Sequence, residues 1–210
     1  MRELTQRQQS IIVGTILGDG YLQPTSKNSA RLRIEQSAKQ KWYVWWKYRE
    51  LKSLMQSAPI ALTRYNPVYR RTYSYARCQT YAHSKLGELR RLFYTSRGSK
   101  RVPEGAERML TPLALATWYM DDGYLFHGDR VAYIYLSDLS RESIAHLKRT
   151  LARRYDLHPR LYRKKLGDCF YFPVVETRKL LRVVRRYILP RFRYKVLRED
   201  PRTTEVERLR

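Results

Sequence analysis

The chain has 210 residues, 43% of them hydrophobic, and 43 Lys and Arg against 19 Asp and Glu give a formal net charge of +24. This length fits one compact domain or two small halves sharing a core, and the hydrophobic content excludes a disordered chain. The charge calls for a polyanionic partner, because a field of that size draws in phosphate backbones and releases their condensed counterions.

Several classes are excluded early. No apolar run approaches the roughly 20 residues that span a bilayer, and Met1-Arg2-Glu3-Leu4-Thr5 is polar rather than signal-like. A soluble, intracellular protein without a membrane partner is expected. Cys78 and Cys169 are lone and far apart, so neither a disulfide framework nor a zinc site can be drawn, and both are expected to pack. His83, His127, His146 and His158 lack metal-ligand spacing, and no phosphate-cradling GxxxxGK[ST] or GxGxxG loop is present.

In chain order, Thr5 is a candidate N-cap for a helix that runs through Ile11, Ile12, Val13, Gly14, Thr15, Ile16 and Leu17 into Gly18-Asp19-Gly20. Arg31-Leu32-Arg33-Ile34-Glu35 alternates with the period of a strand, and Trp42, Tyr43, Trp46, Tyr48 and Leu51 mark a second helix. Residues 60–65 and 69–78 form a hairpin about Asn66-Pro67, and Ser84 caps a closing helix over 85–94.

The plan then repeats. Thr111-Pro112 opens a helix through Leu113, Ala114, Leu115, Ala116, Thr117, Trp118, Tyr119 and Met120 into Asp121-Asp122-Gly123. Val131-Ala132-Tyr133-Ile134-Tyr135 is the matching strand and Ile144, Leu147 and Leu151 the matching helix; setting Leu51 on Leu151 superposes the strands without a gap. A hairpin over 160–164 and 169–174, turning at Leu166-Gly167-Asp168, precedes a helix over 178–189 capped by Thr177 and stopped by Pro190. The expected organisation is α+β, with an N-terminal half over 1–98, a linker over 99–110 and a C-terminal half over 111–210 related by a pseudo-twofold axis.

Small and aliphatic side chains on both motif helices predict that the helices pack on one another, which would bring Asp19 and Asp122 together near the axis. Two such carboxylates repel unless cations sit between them, and magnesium suits the pair, since it takes oxygen ligands and keeps water and substrate phosphate in its shell. A purely structural use would have glycine supply a left-handed helix stop. An acid at a helix C-terminus opposes the dipole, which argues against that use. Asp121 matches Gly18, so no side-chain role common to both halves exists at that position.

Ile12-Val13-Gly14-Thr15-Ile16-Leu17-Gly18-Asp19-Gly20 and Leu113-Ala114-Leu115-Ala116-Thr117-Trp118-Tyr119-Met120-Asp121-Asp122-Gly123 resemble the two signature helices of LAGLIDADG homing endonucleases, in particular the single-chain branch typified by the omega-intron endonuclease. Leu110-Thr111-Pro112 and Tyr194-Lys195 extend the likeness over nearly the whole chain. The resemblance implies two αββαββα halves whose antiparallel strands form a saddle along the DNA major groove. It implies a monomer without an obligate protein partner on a long, asymmetric double-stranded target. Asp19 and Asp122 would be the metal ligands, helped by the backbone carbonyls of Gly18 and Asp121, with Mg2+ the cofactor and Mn2+ a substitute. Each site would cut one strand by metal-activated water, leaving short 3′ overhangs. Lys100 and Lys195 match the family's basic site residues, and Glu35 and Ser137 lie near its variable ones.

Strand alternation puts Arg31, Arg33 and Glu35 on one face, and the repeat adds Tyr133 and Tyr135 to it. In the hairpins Arg71, Tyr73, Tyr75 and Arg77 alternate, as do Arg160, Tyr162 and Lys164. These residues are the expected DNA readers: Arg pairs bidentately with guanine, a carboxylate accepts from cytosine, and Tyr bonds a phosphate or base edge. Arg90-Arg91, Arg153-Arg154 and Arg185-Arg186 fit phosphate clamps or solvated faces. An intron RNA maturase and a non-cutting DNA-binding regulator of the same fold are the competing readings. Neither requires both carboxylates and both lysines.

Overall fold

A computed structural model describes residues 3–136, 139–165 and 167–197. Helix α1 (Gln6–Leu17) starts where expected: Thr5 accepts the Gln8 backbone N–H while the Gln8 side chain accepts that of Thr5, a reciprocal cap. Strands β1 (Tyr21–Pro24) and β2 (Ala30–Ser37), helix α2 (Lys41–Glu50), strands β3 (Ile60–Asn66) and β4 (Arg71–Gln79) and helix α3 (Ser84–Phe93) complete the first half. The second half repeats it as α4 (Pro112–Asp122), β5 (Gly123–Phe126), β6 (Val131–Tyr135), α5 (Arg141–Tyr155), β7 (Arg160–Lys164), β8 (Gly167–Phe172) and α6 (Val174–Val184). Each half holds one antiparallel sheet, in the orders β1-β2-β4-β3 and β5-β6-β8-β7.

The motif helices form the core between the sheets. Every residue of α1 from Ser10 to Leu17 and of α4 from Leu113 to Met120 is buried, as in a helix enclosed on all sides. Their backbones nearly touch: a Cβ added at Gly14 would lie 2.3 Å from the Ala114 carbonyl oxygen. At the N-terminal ends, the Thr111 hydroxyl donates to Ser10 Oγ at 2.8 Å. The opposite ends carry the acidic turns.

Several local expectations differ from the structure. Ser84 is the first residue of α3 rather than its cap; His83 caps it, extended, with Nδ1 accepting the Lys85 N–H at 3.1 Å. Thr177 lies inside α6, which starts three residues earlier; its hydroxyl accepts the Ala132 N–H and donates to the Phe172 carbonyl, both at 2.8 Å, so it ties the helix to the sheet. Helix α6 ends at Val184 and continues as a 3-10 turn over Arg185–Tyr187. The residues after each acidic turn form the short strands β1 and β5, the first strand of each half in the αββαββα plan that the resemblance implies. Neither Gly20 nor Gly123 has positive φ. Glycine is required there for space: a Cβ at Gly123 would lie 2.3 Å from the Tyr119 carbonyl oxygen, and one at Gly20 2.7 Å from that of Thr15.

Candidate active site and strand face

Asp19 stands two residues past the end of α1, exposed, whereas Asp122 is the last residue of α4 and partly buried. Gln36, at the end of β2, donates from Nε2 to Asp19 Oδ2 at 2.7 Å. The position matching Gln36 in the repeat is Leu136, buried and unable to donate, and Asp122 Oδ2 is a buried oxygen with no hydrogen-bond partner. Burial, together with the charges of Asp19 and Asp121, pushes the Asp122 carboxyl up to about 8, opposed by Lys100 and Lys195.

The two candidate lysines reach this end of the core from different local structures. Lys100 follows a turn in which Gly98 has φ +85 and forms a β-bridge with Tyr94; its Nζ donates to the Gly18 carbonyl at 2.5 Å. Lys195 ends a 3-10 segment, Pro190–Lys195, whose last carbonyl accepts the Tyr119 hydroxyl at 2.7 Å, and its Nζ donates to the Met120 carbonyl at 2.7 Å. Burial lowers both ammonium groups against the pull of the nearby carboxylates, Lys195 to about 8.

Asp121 is occupied by another cation, one not expected from the sequence. Lys47 of α2 donates to both of its carboxylate oxygens, at 2.8 and 2.9 Å, and neither side chain is exposed. Burial raises the Asp121 carboxyl and Lys47 opposes it. The Asp19 backbone N–H approaches Asp121 Oδ2 at 3.4 Å, and a Cβ at Gly18 would lie 2.5 Å from that oxygen. Lys47–Asp121 therefore joins α2 of one half to the motif helix of the other. The matching positions are Leu147 and Gly18, so both members are missing together. That paired difference was the available signal; nothing in Trp42-Tyr43-Val44-Trp45-Trp46 marks Lys47 as buried.

A hard cation fits these residues. Asp122 presents a buried, unpartnered oxygen, Asp19 presents an exposed carboxylate, and the side chain of Asp121 is committed to Lys47. Among the described residues no group of three or more His, Cys, Asp or Glu is arranged around one metal position. Two carboxylates completed by water and phosphate match the coordination habit of magnesium.

On the first sheet, register places Arg33 beside Tyr21 and Gln79, Glu35 beside Arg77, and Arg64 beside Tyr73, all on the face away from Leu32 and Ile34. Arg31, Tyr75 and Arg71 share that face. Glu35 was expected to accept from a base, but both of its oxygens are taken: Arg64 binds them at 2.7 and 2.8 Å and Arg77 Nε donates at 2.6 Å. Burial alone would raise the Glu35 carboxyl; the two arginines outweigh it and hold it below the usual range. Arg64 was missed because its partner lies 29 positions away. On the second sheet Tyr133, Tyr135, Arg160, Tyr162 and Lys164 lie on one face as expected, joined by Tyr124 and Tyr171, which were not. Ser137 lies outside the described residues.

Two motif helices with paired acid-glycine turns, each half carrying an antiparallel sheet, define a pseudo-symmetric α+β saddle protein. The family model described as LAGLIDADG DNA endonuclease matches residues 9–180, and the chain belongs to that family. Protein RecA of Mycobacterium gastri is 30% identical over 219 residues, 93% of this chain and 48% of that protein, so the chain spans about half the length of this relative. The DNA endonuclease I-ChuI of Chlamydomonas applanata is 27% identical over 212 residues, 92% of this chain and 95% of that one. The solved structure of the homing endonuclease I-WcaI bound to its DNA recognition sequence has the same fold, with a TM-score of 0.83 at 23% identity, covering 95% of this chain and 90% of that one. No helix among the described residues is long and apolar enough to cross a membrane.

Proposed function

We propose that the chain is a site-specific double-strand DNA endonuclease that hydrolyses one phosphodiester bond per strand, acts as a monomer on a long asymmetric site and leaves short 3′ overhangs. The observation that carries this reading is the pairing of two acid-glycine turns at one end of the core, each with a lysine beside it, Lys195 buried and Lys100 half-buried. Asp19 and Asp122 would hold magnesium, with the Gly18 and Asp121 carbonyls as further candidates and manganese as a substitute. The ion would lower the pKa of a bound water and stabilise the leaving oxygen.

The chain's own groups do the rest. Gln36 fixes the direction of the Asp19 carboxylate, Lys47 keeps Asp121 out of competition, and Lys100 and Lys195 hold protons at Nζ where developing phosphate charge can be balanced. The strand faces of the two halves, 1–98 and 111–210 with 99–110 between them, would hold the major groove on either side of the reacting phosphates.

The test is to incubate the full chain with a plasmid library carrying random inserts, in magnesium, and to map every new end. Paired breaks offset to the 3′ side at one recurring sequence are expected. Tight DNA binding without cleavage in magnesium or manganese would overturn the nuclease and leave a maturase or regulator.

A further inference from the structure

The two strand faces share a backbone plan but not a chemistry. Tyr21, Arg33 and Gln79, paired in register across the first sheet, stand where Tyr124, Tyr133 and Tyr171 stand across the second. One rank along, Glu35 and Arg77 are replaced by Tyr135 and Cys169. The first face is thus a hydrogen-bonded network of charge: besides the Arg64–Glu35–Arg77 cluster, Arg33 donates to Gln23 at 2.7 Å.

The second face is a row of rings. Tyr124, Tyr133, Tyr171 and Tyr162 follow one another with centroid separations of 6.5, 5.3 and 4.9 Å, one ring from each of the four strands. Lys164 places its ammonium 3.3 Å from the centroid of Tyr133, an attraction between the cation and the ring face. The outer rings stay open, Tyr124 at 48% and Tyr162 at 45% exposure, so the row is an accessible surface rather than a core.

These surfaces suit different base pairs. Guanine offers two acceptors in the major groove, which a guanidinium held by a neighbouring acceptor meets bidentately. Thymine is the one standard base that presents a methyl group there, and packed rings give an apolar surface with little conformational entropy left to lose. We infer that the two half-sites differ in composition: the second sheet reads a thymine-rich half-site through ring contacts with 5-methyl groups, and the first sheet reads a guanine-containing half-site through Arg33 and Arg77. This rests on the DNA-binding reading above.

The test selects bound duplexes from a randomised library in calcium, using the wild type, Arg33→Ala, and Tyr124→Ala combined with Tyr162→Ala, both at exposed positions. Deoxyuridine then replaces thymidine in one half-site at a time, which removes the methyl and leaves base pairing intact. The tyrosine variant should relax one half-site only, the thymine-rich one, and Arg33→Ala the other. Each methyl lost from the tyrosine-read half should weaken binding roughly fourfold, the factor for burial of one methyl-sized group. Affinity indifferent to deoxyuridine in that half, or tyrosine variants that relax guanine positions, would overturn the inference while leaving DNA recognition standing. No sequence enriched by the wild type would sink the DNA reading itself, and the inference with it.

Discussion

At Asp19 and Asp122 the same motif acid meets two different surroundings, set by single neighbouring residues. Gln36 satisfies Asp19, whereas the matching Leu136 leaves Asp122 with a buried, unpartnered oxygen. Glu35 shows the reverse case, a carboxylate with more cationic partners than a base could displace cheaply. Its carboxyl is depressed in the fold, so folding releases a proton there; the resulting stability is present above the unfolded carboxylate range and is lost as pH falls through the lower folded value. Glu35→Gln should therefore cost roughly 1 kcal/mol at neutral pH, the scale of a partly exposed ion pair, and nothing once both states are protonated in acid. Urea unfolding of both proteins across that range checks it; an equal loss at all pH values would assign the effect to packing. The repeat made Asp19, Asp122 and the strand alternation legible in the sequence. Gln36 and Arg64 were not legible, because their importance lies in partners 17 and 29 positions away that no local pattern encodes.

Among the elements, the two motif helices set the distance between the acidic turns. Gly14 has no room for a side chain against Ala114, so Gly14→Val should force the helices apart and lower stability by about 1–3 kcal/mol, as overpacking does. Cleavage should fall further than the loss of folded protein explains, which activity normalised to folded fraction would show. Helix existence and the duplication followed from apolar period and turn residues. The caps of α3 and α6 did not, because Ser84 and Thr177 are good cap residues that tertiary contacts used otherwise: His83 holds the start of α3, and Thr177 bonds across to β6. Between elements, Lys47 and Asp121 form a fully buried pair. Lys47→Met alone should destabilise the chain by about 3–5 kcal/mol, since it strands a buried carboxylate. Combining it with Asp121→Ala should recover most of that. A double-mutant cycle with no coupling would refute the pairing.

For the molecule as a whole, the net charge of +24 makes affinity a property of salt as much as of contacts. Log affinity should fall linearly with log salt, and Arg160→Ala, on the exposed edge strand β7, should reduce the slope by about 1 if that residue meets a phosphate. Fluorescence anisotropy at several salt concentrations measures it, and an unchanged slope would remove Arg160 from the contact surface. The most direct test of the central claim compares the wild type with Asp19→Asn and Asp122→Asn on the selected target duplex, measuring binding in calcium and strand cleavage in magnesium. Both variants should bind within a few-fold of wild type, by the scale of one lost hydrogen bond, and neither should produce the double-strand break. Cleavage at the wild-type rate by either variant would contradict the assignment of its carboxylate to the reaction.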